Sequence, residues 1–203
     1  MFWREAALEW TDVPYRVVSA ASWVGDSAID ELKRVNPLVQ IPTLVTPAGG
    51  VLTESAAILI ELGLAHPDSG LLGTDATVRA RSIRGLVYVA ANCYAAIGVI
   101  DYPERVLGAD ADEALRDRVR AATRARLHTL WDAFADAFVR EGEPFLGGAQ
   151  PDALDLLAAA VSRWSGTRPH LRQARPAFAA LLGRIEQHPH VRPVFERHWP
   201  TTT

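Results

Sequence analysis

One cysteine, Cys93, is all the thiol this chain has. An internal disulfide framework is therefore excluded, and a reducing compartment, the cytoplasm, is the expected location. Excess charge is lacking as well: 21 Lys and Arg stand against 24 Asp and Glu, a formal net charge of −3. Nothing in that balance draws the chain globally toward nucleic acid or an anionic membrane. The apolar runs read as too short for a membrane span. The opening MFWREAALEW carries Arg4, Glu5 and Glu9, which no secretory signal would. No internal repeat or low-complexity tract breaks the 203 residues. What is present is ordinary for a globular protein, 49% hydrophobic and 22% charged, with length for one large or two small domains.

The chain divides by periodicity. Phe2, Ala6 and Trp10 fall on one helical stripe across residues 2–11. Asp12-Val13-Pro14 ends that helix, YRVVSA (15–20) reads as a strand, and 28–35 as a helix closed by Asn36-Pro37. Two strands, 41–46 and 50–53, follow around Pro47-Ala48-Gly49-Gly50, a hairpin turn. An apolar helix covers 55–65. Residues 67–75 then read as a linker rich in proline, glycine and small polar residues. Beyond it the pattern is helical throughout, with segments near 76–102, 111–140, 152–165, 176–187 and 190–197. The expected class is an α/β unit over 1–66 followed by an all-α domain over 76–203.

The segment NPLVQIPTLVTPAGGVLTESAAILIEL (36–62) carries the chemistry. Glu54-Ser55 stands where a strand passes into an apolar helix. A helix's first turn offers unpaired N–H groups and a positive dipole end, suited to a carboxylate. Ser55 adds a hydroxyl donor, and Glu54 can receive an ammonium. A ligand with an α-amino acid end would satisfy both. The same residues also suit a plain helix start, with Thr53 or Ser55 as N-cap and Glu54 as a first-turn acid.

The strand–helix–hairpin–helix order, with Ile41-Pro42 opening the hairpin, resembles the thioredoxin-like fold. In that fold this proline is cis, and its predecessor's backbone can pair with an extended peptide. Asn36-Pro37, Gln40-Ile41-Pro42, Gly50 and Thr53-Glu54-Ser55 together resemble the glutathione transferase family, bacterial-type and cytosolic. The resemblance implies that Glu54 and Ser55 hold the γ-glutamyl end of glutathione. It implies that Ile41, beside Pro42, pairs its backbone with the cysteinyl unit, and that Gln40 lies near the glycyl end. Glutathione would be the co-substrate, attacking a small electrophile as thiolate, and the protein a homodimer.

GGAQPDALDLLAAAVSRW (147–164) supports the resemblance. Asp152 and Asp155 have the spacing of a capping box, with Pro151 and Leu156 placed as a hydrophobic staple. The helix behind them is apolar nearly all round, so it is expected at the centre of the domain. Family members usually have Ser or Thr at the cap. The two aspartates read as structural and Cys93 as core. Tyr88, Tyr94 and Tyr102 lie on the long helix that would border the site of the second substrate, and equally suit half-buried packing between helices. Arg116, Arg120 and Arg124 share a helical face with no interleaved aromatics, which reads as a solvated face rather than a nucleic-acid site. His188-Pro189-His190 with His198 has no accompanying ligand set, so no metal is expected.

The family's first domain opens with a strand and a loop bearing Tyr, Ser or Cys, the group that holds glutathione's sulfur as thiolate. Here FWREAALEWTDVPYRVV aligns with the helix and second strand that follow them. Ser22 and Trp23 come after that second strand, on another loop, so no thiolate-stabilising residue is assigned. The expectation is a start codon placed downstream of the true one, or else a member with a shortened fold. Two readings compete with a transferase: a non-catalytic protein-interaction module of the same fold, and a glutathione-dependent isomerase.

Overall fold

The computed structural model describes residues 3–21 and 25–199. Helix α1, Trp3–Trp10, turns Trp3, Ala6 and Ala7 fully inward and Leu8 nearly so. Phe2, the first residue of the expected stripe, lies outside the described residues, as do Ser22 and Trp23. Residues 15–20 do not form the expected strand. A strand exists through its ladder, and the segment has none: among the described residues its backbone bond outward is Ala28 N–H to the Ser19 carbonyl, 2.8 Å. Helix α2 covers Ile29–Val35, with Leu32 buried and Asn36 as C-cap.

Strands β1, Thr43–Val45, and β2, Val51–Thr53, pair antiparallel as Thr43 with Thr53, Leu44 with Leu52 and Val45 with Val51. Gly49, at φ 82°, makes the turn between them in a conformation that favours glycine. Helix α3, Ser55–Ala65, has the bounds the sequence predicts and buries Ile58, Leu59 and Leu62. The stretch after it is better packed than a loose linker. It holds a 3₁₀ turn, Pro67–Ser69, and it buries Leu71 and Leu72. The Leu71 carbonyl accepts from Ala153 N, 2.9 Å, which ties it to the helical half.

Helix α4, Ala76–Tyr88, is capped by Asp75, whose carboxylate accepts from Thr77 N and Val78 N at 2.8 and 2.9 Å. It runs on without a break through a π-helical turn, Val89–Tyr94, into α5, Ala95–Asp101. By length and composition this continuous helix is apolar enough to cross a bilayer, contrary to the sequence expectation. Here Leu86, Val89, Cys93 and Ile97 are buried in the protein core. Helix α6, Glu104–Leu107, is a short turn, and α7, Glu113–Phe138, is a long helix with Leu127, Trp131, Phe134 and Phe138 facing inward.

Helix α8, Ala153–Val161, is the centre: every one of its residues is buried. Gly85 lets it approach α4, because a β-carbon there would overlap the Leu154 side chain. Helices α9, Thr167–Ala174, α10, Pro176–Glu186, and α11, Arg192–His198, complete the chain. The class is as expected, thioredoxin-like then helical, although α6 and α9 are additional to the sequence reading.

Candidate functional site

Asn36 builds the first wall from within. Buried behind the loop, its Nδ2 donates to the Gln40 carbonyl and to Thr43 Oγ1, both 3.0 Å, and its Oδ1 accepts from Leu38 N at 3.0 Å. These bonds fix the path from Pro37 to Pro42. The Ile41–Pro42 peptide is cis, as the resemblance implies. Val39 is held at φ 53°, a region that a β-branched residue rarely enters.

The second strained residue is Glu54, with φ 64° and ψ 122°. It occupies the N-cap position of α3 but makes no side-chain cap bond, so the plain-cap reading does not hold. The first N–H groups of that helix consequently await an acceptor. Ser55, the first residue of α3, is buried, and Glu54 is exposed. A backbone cost of about 1–3 kcal/mol at such a position is the kind that functional sites retain.

Gln40, Ile41, Pro42, Glu54 and Ser55 all line one cavity of about 780 Å³. Its other wall comes from the helical half, through Val89 and Ala90 of the π-helical turn, Ile97, Leu157 and Trp164. π-Helical turns inside α-helices recur at functional sites. Tyr94 and Tyr102 also line it, and Tyr94 meets Trp164 edge-on at 5.8 Å between ring centroids. Burial, then the negative charges of Asp101 and Glu54, push the Tyr94 phenol upward from its ordinary pKa. Asp101, also on this wall, is raised by burial.

Tyr88 is not among the lining residues. Its hydroxyl donates to the Leu130 carbonyl at 2.9 Å and its ring packs on Phe134 and Phe138, so it is the half-buried packing residue. Asp101, Arg105, Trp164 and Trp199 line the cavity and escaped the sequence reading, and His198, weighed there only as a metal ligand, lines it too. The spacing of Asp101 and Arg105 around Tyr102 was the available signal for two of them.

The remaining motifs lie elsewhere. Asp152 accepts from Leu154 N and Asp155 N, and Asp155 accepts from Asp152 N at 3.0 Å, the reciprocal capping box that the sequence predicts. Asp155 also accepts from Leu146 N and Gly147 N, 2.8 and 2.9 Å, and Ser82 Oγ donates to Asp152. Both carboxyls are raised by burial, Asp155 further by its neighbour's charge. Arg120 pairs with Glu113 and Asp117, as a solvated helix face does. His188 and His190 stack on Trp10 at 5.3 and 5.0 Å, while His198 Nε2 lies 3.0 Å from Glu5 Oε1. Among the described residues no group of three or more His, Cys, Asp or Glu could hold a metal ion.

Residues 5–64 match the family described as glutathione S-transferase, N-terminal domain. An uncharacterized GST-like protein of Escherichia coli K12, YncG, is 28% identical over 197 residues, 96% of this chain and 91% of that protein. Residues 5–64 thus carry the N-terminal domain of the glutathione transferase family, and the chain as a whole is similar to GST-like proteins. Solved structures agree on the fold. A sphingomonad glutathione S-transferase complexed with glutathione superposes with a TM-score of 0.77 at 22% identity, covering 97% of this chain and 92% of that one. Maleylpyruvate isomerase of Pseudomonas aeruginosa PAO1 gives 0.67 at 23%, covering 100% and 94%. A probable maleylacetoacetate isomerase of Caenorhabditis elegans is 40% identical over 76 residues, 37% of this chain and 34% of that protein.

Proposed function

We propose that this glutathione transferase homologue binds glutathione and promotes attack of its thiolate on a small electrophile. The observation that carries this is the convergence of Gln40, Ile41, Pro42, Glu54 and Ser55 on one cavity, beside a helix start that no side chain caps. Glu54 receives the γ-glutamyl ammonium, while Ser55 and the α3 N–H groups take its carboxylate. Ile41 pairs its backbone with the cysteinyl unit, and Gln40 lies toward the glycyl end. Tyr94 and Tyr102 face the electrophile. In this reading residues 1–66 are the glutathione-binding domain, 67–75 a linker and 76–203 the helical domain. The protein acts in the cytoplasm as a homodimer, without a metal, nucleic acid or membrane.

The reaction joins sulfur to carbon as the bond from that carbon to its leaving group breaks, the leaving group departing with the electron pair and the thiol proton passing to solvent. A glutathione-dependent isomerase is the second reading, favoured by the likeness to a probable maleylacetoacetate isomerase. A conjugation assay run beside a cis–trans isomerisation assay separates the two.

Glu54→Ala tests the site. Retention on immobilised glutathione should be lost, because the ammonium then has no partner. The melting temperature should move by no more than about 2 °C, since an exposed substitution changes stability little. The strained φ is shared by Glu and Ala and does not enter the difference. Unchanged retention refutes the γ-glutamyl site.

A further inference from the structure

Glutathione, held as proposed above, leaves one cation of the cavity unused. The two basic residues among those lining it are Arg105 and His198. His198 Nε2 is 3.0 Å from Glu5 Oε1. Arg105 lies with its guanidinium carbon 3.9 Å from the centre of the Tyr102 ring. Among the described residues no carboxylate forms an ion pair with it, although Asp101 and Glu104 are close in sequence. The groups assigned to glutathione sit on the loop and α3 wall, whereas Arg105 belongs to α6, on the wall of the helical half.

We infer that the electrophile is a flat, unsaturated molecule carrying a carboxylate, with Arg105 holding that carboxylate while Tyr94, Tyr102 and Trp164 flank the body. The guanidinium fork matches a carboxylate in two parallel hydrogen bonds, and stacking on Tyr102 limits the planes it can adopt. Tyr94 and Trp164, edge-on to each other, supply apolar ring surface beside it. Asp101 is the one acid of this wall that would oppose an anion.

The inference rests on the glutathione reading, and the experiment separates them. The probes are 4-chloro-3,5-dinitrobenzoate and its methyl ester, each conjugated to glutathione. In both, the carbon–sulfur bond forms, the aryl carbon–chlorine bond breaks, chloride leaves with the electron pair, and the thiol proton goes to buffer. Intrinsic reactivity differs between acid and ester, so the quantity read is the acid-to-ester ratio of kcat/KM in the parent relative to a variant. Arg105→Gln should lower that ratio by about tenfold or more, the loss expected for a charge-assisted bond, and Arg105→Lys should recover part of it. An identical ratio in parent and Arg105→Gln overturns the inference.

Where neither acceptor is conjugated, the conjugation reading fails, and direct titration decides Arg105. The benzoate and the ester are added without glutathione while tryptophan fluorescence is followed, since Trp164 and Trp199 line the cavity. Tighter binding of the acid that Arg105→Gln removes sustains the assignment. Equal affinity for acid and ester refutes it.

Discussion

Glu54 concentrates the chemistry in one residue. Its φ of 64° is unfavourable, its carboxylate is exposed, and it stands at the cap position without capping. A side chain that stabilised the helix would bend back onto the first N–H groups, as Asp75 does at α4. Glu54 instead leaves them open. Cys93 is its opposite. Fully buried within the π-helical turn, its thiol is pushed up to about 12 by burial. The thiolate is the reactive form, so at neutral pH the native protein should react with a thiol-specific disulfide reagent only as fast as it opens. One thiol per chain should then titrate rapidly in denaturant. Rapid labelling of the native protein by such a reagent is the result that would contradict this.

At the scale of elements, the start of α8 binds the most together. Asp152 and Asp155 satisfy backbone donors at Leu146, Asp152, Leu154 and Asp155 in the buried centre and at half-buried Gly147. Asp152→Ala leaves the N–H groups of Leu154 and Asp155 and the Ser82 hydroxyl without that acceptor. The expected cost is about 1–3 kcal/mol of stability, seen as a lower urea midpoint. Glutathione affinity per folded molecule should stay as in the parent, because neither aspartate lines the cavity. A fall in affinity with unchanged stability would move Asp152 into the site.

The capping box could be read from two aspartates three residues apart, because a cap is local geometry. Helix α9 could not. It begins after Gly166 at φ 78° and carries Pro169 in its first turn, where the missing N–H costs nothing. In a one-dimensional reading those two residues look like punctuation.

On the scale of the whole molecule, the two ends of the described chain meet. Arg197 pairs with Glu9 and His198 with Glu5, and Trp10 Nε1 donates to the Ser69 carbonyl at 2.9 Å. Against this junction His188 lies parallel to Trp10, with Phe145 edge-on at 5.9 Å. Burial, then the neighbouring His190, holds its imidazole below the ordinary pKa. A base whose folded pKa is depressed stays neutral in the native state, while the unfolded chain takes up a proton first. Its contribution is therefore complete above about pH 6.5 and is lost as the pH falls through the folded pKa. Unfolding free energy measured from pH 8 to pH 5 should decline on the acid side, and His188→Gln should flatten that decline. Asp152 and Asp155, raised by burial, contribute a slope of opposite sign that parent and variant share. Parallel profiles would remove His188 from the junction.

Sequence by itself determined the elements whose causes are local. The hairpin turn, the apolar α3, the capping box and the Glu54-Ser55 pair at a strand-to-helix junction all depend on neighbours within a few residues. Residues 15–20 show the limit, since β-branched composition does not supply the partner strand that a ladder requires. Only tertiary packing decided that two of the three tyrosines, Tyr94 and Tyr102, face the cavity. The π-helical turn that bears Val89, Ala90 and Tyr94 on the wall leaves Tyr88 bonded to Leu130 on α7. Tertiary packing likewise brought Arg105 and Trp164 to the wall facing Glu54. Residues that far apart in the chain become one site through the burial of α8 between the two halves, and no local pattern encodes that contact.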